Sequence, residues 1–250
     1  MKNLITIPLF LLFAFITKAQ DINSLIKEAD NLEDVPNELA AFNKFKEVLK
    51  MQPNNVYSLS KASQLGSRIG SREIDTKSRD TWYATAFSYA NKAVAIAPLH
   101  DEANVALAMI LGKSSLTKSA KEKLISAKEI KKRLDIALKS NPNNYLAWHI
   151  LGRWNYEIGS ISSVERAAAK MFFGSIPSGS IKNAIMYFEK TRTLKPYFIL
   201  NYIELAKAYH KDGQPGKAIA LMNTIQAFPV NTEDDAKLKV EGLRMSKDWE

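Results

Sequence analysis

Three histidines, S-x-x-K patterns, a lysine stripe and a Met-Phe-Phe cluster are the residues of this chain that could do chemistry. His100, His149 and His210 lie far apart, and none stands in an HExxH or other metal-ligand spacing. His149 follows Trp148 in a helical stretch and His210 precedes a helix end, so packing and helix-end pairing are their expected roles. Ser24-Leu25-Ile26-Lys27 and Ser115-Leu116-Thr117-Lys118 match S-x-x-K, but chance supplies that pattern readily in a Ser- and Lys-rich chain. The companion S-D-N and K-T-G signatures are missing. There is no Cys nucleophile, no G-x-S-x-G elbow, no Walker loop and no G-x-G-x-x-G. The expectation is a protein that binds, with no catalytic residue, metal or cofactor.

Two surface features are candidates for that binding. Lys121, Lys128, Lys132 and Lys139 are spaced 7, 4 and 7, which lines them along one stripe of a helix. Leu124, Ile130 with Ala127, Leu134 and Leu138 take the opposite face. Glu129-Arg133 and Lys132-Asp135 are expected to compensate part of the charge as i,i+4 and i,i+3 pairs. The stripe would suit an acidic protein or a lipid head group. No aromatic residue is interleaved with the lysines for stacking on bases, so nucleic acid is not expected. The second feature is Met171, Phe172 and Phe173, expected either to plug the concave side of the fold or to wall an apolar pocket for a peptide or acyl chain.

The elements that must position these residues are helical. Gly and Pro are sparse within the periodic segments, and almost no stretch alternates apolar and polar over a strand length. Pro53, Pro98, Pro142, Pro196 and Pro229 each follow a periodic apolar segment and are expected to terminate helices. In 199–230, Tyr202, Leu205, Ala206 and Tyr209 stripe one helix, and Ala218, Leu221, Met222 and Ile225 stripe the next. The turn Lys211-Asp212-Gly213-Gln214-Pro215-Gly216 lies between them. These positions resemble the tetratricopeptide repeat, W-x2-L-G-x2-Y followed by Ala, Phe and Pro. The fold class expected is therefore all-α: a tetratricopeptide-like, right-handed α-solenoid of about five helix pairs with a C-terminal capping helix. The approximate units are 21–53, 54–98, 99–142, 143–196 with an insertion at 157–180, 197–230, and a cap at 232–248. A polar connection is expected over Ser67 to Thr81, and a Gly-Ser-Ile-Pro-Ser-Gly loop over 174–179.

A more specific likeness lies in the fourth unit. Trp148-His149-Ile150-Leu151-Gly152-Arg153-Trp154, then Phe172-Phe173-Gly174, Ile176-Pro177-Ser178, Pro196, Leu205-Ala206-Lys207 and Tyr209, resemble the regulator of microtubule dynamics family. The likeness is strong over about 147–230, insertion included. It implies a tetratricopeptide-like helical fold with no catalytic residues. It also implies association with microtubules, spindle poles or organelle contact sites, as for the family's animal members. Trp148, Leu151, Gly152, Arg153, Trp154, Gly174, Pro177, Pro196 and Tyr209 match the pattern and are expected to be structural. Arg153 and Trp154 are expected to build the interface between the fourth unit and its insertion.

The compartment is read from the N-terminus. Lys2 precedes a thirteen-residue apolar run, Leu4 to Ile16, broken only by Thr6 and Pro8, and Thr17-Lys18-Ala19 ends in a small residue before Gln20. That is the layout of a secretory signal, residues 1–19, leaving 20–250 as one solenoid domain. The alternative is an uncleaved membrane anchor. Export to a periplasm or the exterior is expected, and an exported chain would not meet tubulin. With no Cys, no disulfide can form, and the core must hold the fold unaided. The net charge of +9 falls to +7 without Lys2 and Lys18. Nine Lys or Arg between Lys113 and Lys139 face only Glu122, Glu129 and Asp135, so most of the excess is local. A protein or peptide partner held on the concave face is the expected function, with an acyl-chain or phospholipid carrier as the alternative.

Overall fold

The computed structural model describes residues 22–115, 118–174 and 176–250, and Phe173 by its backbone alone. The expected signal segment 1–19 and the Leu116-Thr117 half of the Ser115-Leu116-Thr117-Lys118 pattern lie outside the described residues. All described elements are helical: α1 (22–33), α2 (Glu38–Met51), α3 (Val56–Arg72), α4 (Thr76–Ile96), α5 (Asp101–Ser114) and α6 (Ala120–Ser140). They continue with α7 (Tyr145–Ser160), α8 (Ser163–Phe173), α9 (Ile181–Leu194), α10 (Ile199–Lys211), α11 (Pro215–Thr224), a 3₁₀ turn (Ile225–Ala227) and α12 (Asp235–Asp248).

The prolines set the rhythm. Each stands two places beyond the last helical residue, after Met51, Ile96, Ser140, Leu194 and Ala227. The ring disfavours helical backbone at the residue before it. Gln52, Ala97, Asn141 and Lys195 accordingly share one conformation, φ −128 to −138° and ψ 77 to 94°. After the first four prolines a new helix begins three places on, at Val56, Asp101, Tyr145 and Ile199. Asn55 and Asn144 cap two of these starts, accepting from the backbone N–H of Ser58 and Ala147.

Packing sorts the helices into two rows. Consecutive first helices touch one another, α3 with α5, α5 with α7, α7 with α10 and α10 with α12. The second helices α2, α4, α6, α9 and α11 each pack on the first helix of the following unit. The first helices therefore form a continuous inner row and the second helices an outer one, the two-row layout of a helix-pair solenoid. Its core is serial, four apolar clusters along the chain among the described residues, centred on residues such as Phe45, Ile110, Leu134 and Phe188.

The sequence of the second unit misled in one respect. The expected polar connection from Ser67 to Thr81 is mostly helix, with only Glu73, Ile74 and Asp75 between α3 and α4. Its polar residues are there because α3 shows a charged side to the inner face, as described next. Gly152 shows how tightly the rows pack: a Cβ there would lie 2.6 Å from the Phe188 ring, so α7 and α9 meet only because the position lacks a side chain.

Candidate functional site

Lys61, Arg68 and Arg72 on α3 repeat the 7-and-4 spacing of the lysine stripe on α6, but they face inward. Glu33 receives Lys61 Nζ and Arg68 Nη2, both at 2.9 Å. Glu38, wholly buried, receives Arg68 Nε at 3.0 Å and Arg72 Nη2 at 2.7 Å. Arg72 then reaches across the molecule to Glu233 at 3.0 Å and Asp234 at 3.2 Å, while Glu38 donates its backbone N–H to Glu233 at 2.8 Å. The result is an alternating ladder of charges that joins the first helix pair to the segment before α12.

Pairing decides the ionisation of this ladder. Burial alone would raise the Glu33 carboxyl, but the Arg68 and Lys61 charges outweigh it and hold it at about 2. Desolvation opposes the charged forms of Lys61 and Arg68, and the neighbouring Glu33 reverses that effect and raises both. A buried charge left without its partner would be costly, which makes the ladder all-or-nothing.

Further along the inner row the charges are less well matched. Glu204 on α10 lies 3.9 Å from Arg153 of α7 and 3.6 Å from Lys207, which also reaches Glu241 of α12 at 3.3 Å. Lys113, in the last turn of α5, forms no ion pair or hydrogen bond among the described residues. Burial lowers its pKa first, and the charge of Arg153 adds to that effect. Beneath this surface His149 is buried, its Nδ1 3.1 Å from Asn201 Oδ1, whose amide donates to the Phe188 carbonyl. Burial lowers this imidazole to about 4, and it is neutral at ordinary pH.

The lysine stripe lies on α6, a helix of the outer row. Lys121, Lys128, Lys132 and Lys139 are exposed and form no ion pairs among the described residues. Glu129 and Arg133 pair at 2.6 Å. Asp135 takes Lys131 at 2.6 Å, one turn back at i,i+4, and not Lys132.

The insertion is where the structure departs furthest from expectation. No described residue of α8 is buried, and Val164, Met171 and Phe172 are 77%, 82% and 75% exposed. The helix neither plugs the inner side nor walls an enclosed pocket. Phe172 instead borders a shallow hollow on the outer row with Lys121, Leu124, Ile125 and Lys128. The Phe173 side chain lies outside the described set. The reason α8 stands off is its anchoring: Arg166 donates to the carbonyls of Ile158 at 2.7 Å and Pro177 at 3.4 Å, bracing the insertion on its own ends. Gly174 closes α8 at φ 77°, a conformation that suits glycine.

Arg153 and Trp154 do not build the interface to the insertion. Arg153 faces the inner row, and Trp154 donates its indole N–H to the Ala127 carbonyl of α6 at 2.8 Å. Trp148 bonds the Pro142 carbonyl at 2.8 Å and stacks on Tyr187, while Leu151 is buried. Pro196 lies in the exposed turn between α9 and α10. Tyr209 donates to Glu189 at 2.8 Å, and burial together with that carboxylate raises its hydroxyl to about 12. Sequence reasoning missed the inner ladder. The one local signal for it was the spacing of Lys61, Arg68 and Arg72.

A family model described as "Regulator of microtubule dynamics protein 1-3" matches residues 25–250. The chain belongs to this family. Regulator of microtubule dynamics protein 2 of Mus musculus is 30% identical over 155 residues, covering 62% of this chain and 38% of the relative. Regulator of microtubule dynamics protein 1 of Mus musculus is 27% identical over 126 residues, covering 50% and 41%. This member of the regulator of microtubule dynamics family thus spans about two fifths of the length of these curated relatives. A thermophilic TPR protein of Thermus thermophilus superposes with a TM-score of 0.64 over 90% of this chain and 98% of its own, at 15% identity, which shows the shared tetratricopeptide-type fold.

Proposed function

We propose that this chain is a non-enzymatic scaffold that holds a protein or peptide segment along its inner row of helices. The observation that carries this reading is the inner face itself. Side chains of α3, α5, α7 and α10 converge there as charged groups (Arg68, Lys113, Arg153 and Glu204) held on rigid helices, an arrangement suited to an extended polar segment. An acyl-chain carrier would need an apolar enclosed wall, and the exposed Met171 and Phe172 supply none. The names of the relatives bring microtubules forward as a partner, and the N-terminal residues 1–19 favour export as the compartment. Detection of a mature N-terminus at Gln20 by mass spectrometry would support export and remove the tubulin reading.

The test of the scaffold reading is site-specific photo-crosslinking in the native organism. A photoreactive residue replacing Lys207 or Tyr156, both partly exposed, should capture a protein, and one replacing Val164 on the exposed insertion helix should not. Capture only from the Val164 position would overturn the inner-face assignment.

A further inference from the structure

The inner face already holds an acidic segment, and it is the chain's own. Asp235 is buried and accepts the backbone N–H groups of Asn231 and Thr232, both at 2.9 Å. That loop leaves the two preceding carboxylates, Glu233 and Asp234, to project across the inner face onto Arg72. Arg72 is thereby shared among three acids, since Glu38 holds it as well. Beyond Arg72 the inner face turns cationic. Among the described residues Lys113 forms no ion pair, and the one ion pair of Arg153 is the 3.9 Å contact with Glu204, which Lys207 also claims.

The charges that act on Lys113 come from four different elements. Arg153 on α7 and Arg68 on α3 oppose its protonated form, and Asp234 before α12 and Glu204 on α10 favour it. Lys113 forms no ion pair with a carboxylate among the described residues, and the Arg153 and Arg68 charges act on it, so an incoming anion would find it unneutralised. Asp234 meets that demand only at a distance, from its seat on Arg72.

We propose that the partner segment is acidic, that its carboxylates are received by Lys113 and Arg153, and that Glu233 and Asp234 act as a built-in competitor for the same face. The proposal rests on the scaffold reading and names the chemistry of its ligand. A bound acidic segment would complete the pairing of Lys113 and extend the charge ladder of α3 toward Glu204. The internal acids lower the apparent affinity in proportion to the time they occupy the face.

The experiment uses the full mature chain and a fluorescein-labelled oligo-glutamate peptide, followed by fluorescence anisotropy at low and high salt. Replacing both internal acids, Glu233→Gln with Asp234→Asn, should tighten binding by about tenfold, because the competitor is removed. Adding Lys113→Glu to that background should abolish the gain, and Lys128→Glu with Lys132→Glu on the outer stripe should leave it in place. If the double variant melts well below wild type, Asp234→Asn alone, which keeps the Glu233 contacts, serves the same comparison. Equal binding by all variants would overturn the proposal, as would loss of binding only with the outer stripe. Binding to anionic phosphatidylglycerol vesicles with none to the peptide would also overturn it. A partner captured from Lys207 but not displaced by oligo-glutamate would leave the scaffold standing and remove its acidic ligand.

Discussion

α3 and α6 carry basic residues at the same intervals, 61, 68 and 72 on one and 121, 128 and 132 on the other. On α3 the cations are largely covered and locked to Glu33, Glu38, Glu233 and Asp234. On α6 they stand in solvent with none of these partners. Row membership makes the difference. An inner helix faces its neighbours' charged side chains, whereas an outer helix turns the same pattern toward water. A charge stripe is therefore informative about a helix face and silent about what that face meets.

The contrast can be broken most directly at Arg68. Arg68→Met leaves buried Glu38 and Glu33 without a shared partner and should destabilise the fold by about 3–5 kcal/mol in chemical denaturation. A loss under 1 kcal/mol would mean that the ladder is ornamental. The next effect lies in the pH dependence. His149 has a lowered pKa in the fold, so the unfolded chain binds more protons between 6.5 and about 4, and stability present above that window is lost as pH falls through it. The loss is of the order of 3 kcal/mol at most, and a His149→Phe variant should melt with a flatter profile over that range. Glu33 acts in a separate, more acidic window: its stabilisation is present above 4.5 and lost as pH falls toward about 2.

Packing beneath the inner row supplies a smaller effect. Gly152→Val forces the Phe188 ring aside and should cost about 1–3 kcal/mol, read as a lower melting temperature. The smallest effect is expected on α6. Reversing Lys128 and Lys132 should change stability by less than about 0.5 kcal/mol each and leave helicity by circular dichroism intact. A large loss there would erase the distinction between the two stripes.

Much of the architecture is legible locally. The prolines act on the residue before them, so Pro53, Pro98, Pro142 and Pro196 announce helix ends that no tertiary contact has to create. The inner ladder is not legible, because its acids come from elsewhere. Arg72 and Asp234 are 162 residues apart, and Arg72 and Glu38 are 34 apart. The insertion misleads for the opposite reason. Met171, Phe172 and Phe173 look like core by composition, yet Arg166 anchors α8 through backbone carbonyls and leaves it standing off the solenoid. Periodicity says which residues share a face and nothing about whether that face is covered.

The Glu38–Glu233 hydrogen bond joins residues 195 positions apart. A linear array made of neighbour contacts alone can assemble as it emerges and fray from either end. Here the segment before α12 secures the first helix pair, so that pair gains its full set of contacts only once residues 233 and 234 are in place. Removing residues 231–250 should therefore loosen amide protection in 22–51, which lies far from the cut in sequence yet is joined in space to the removed segment.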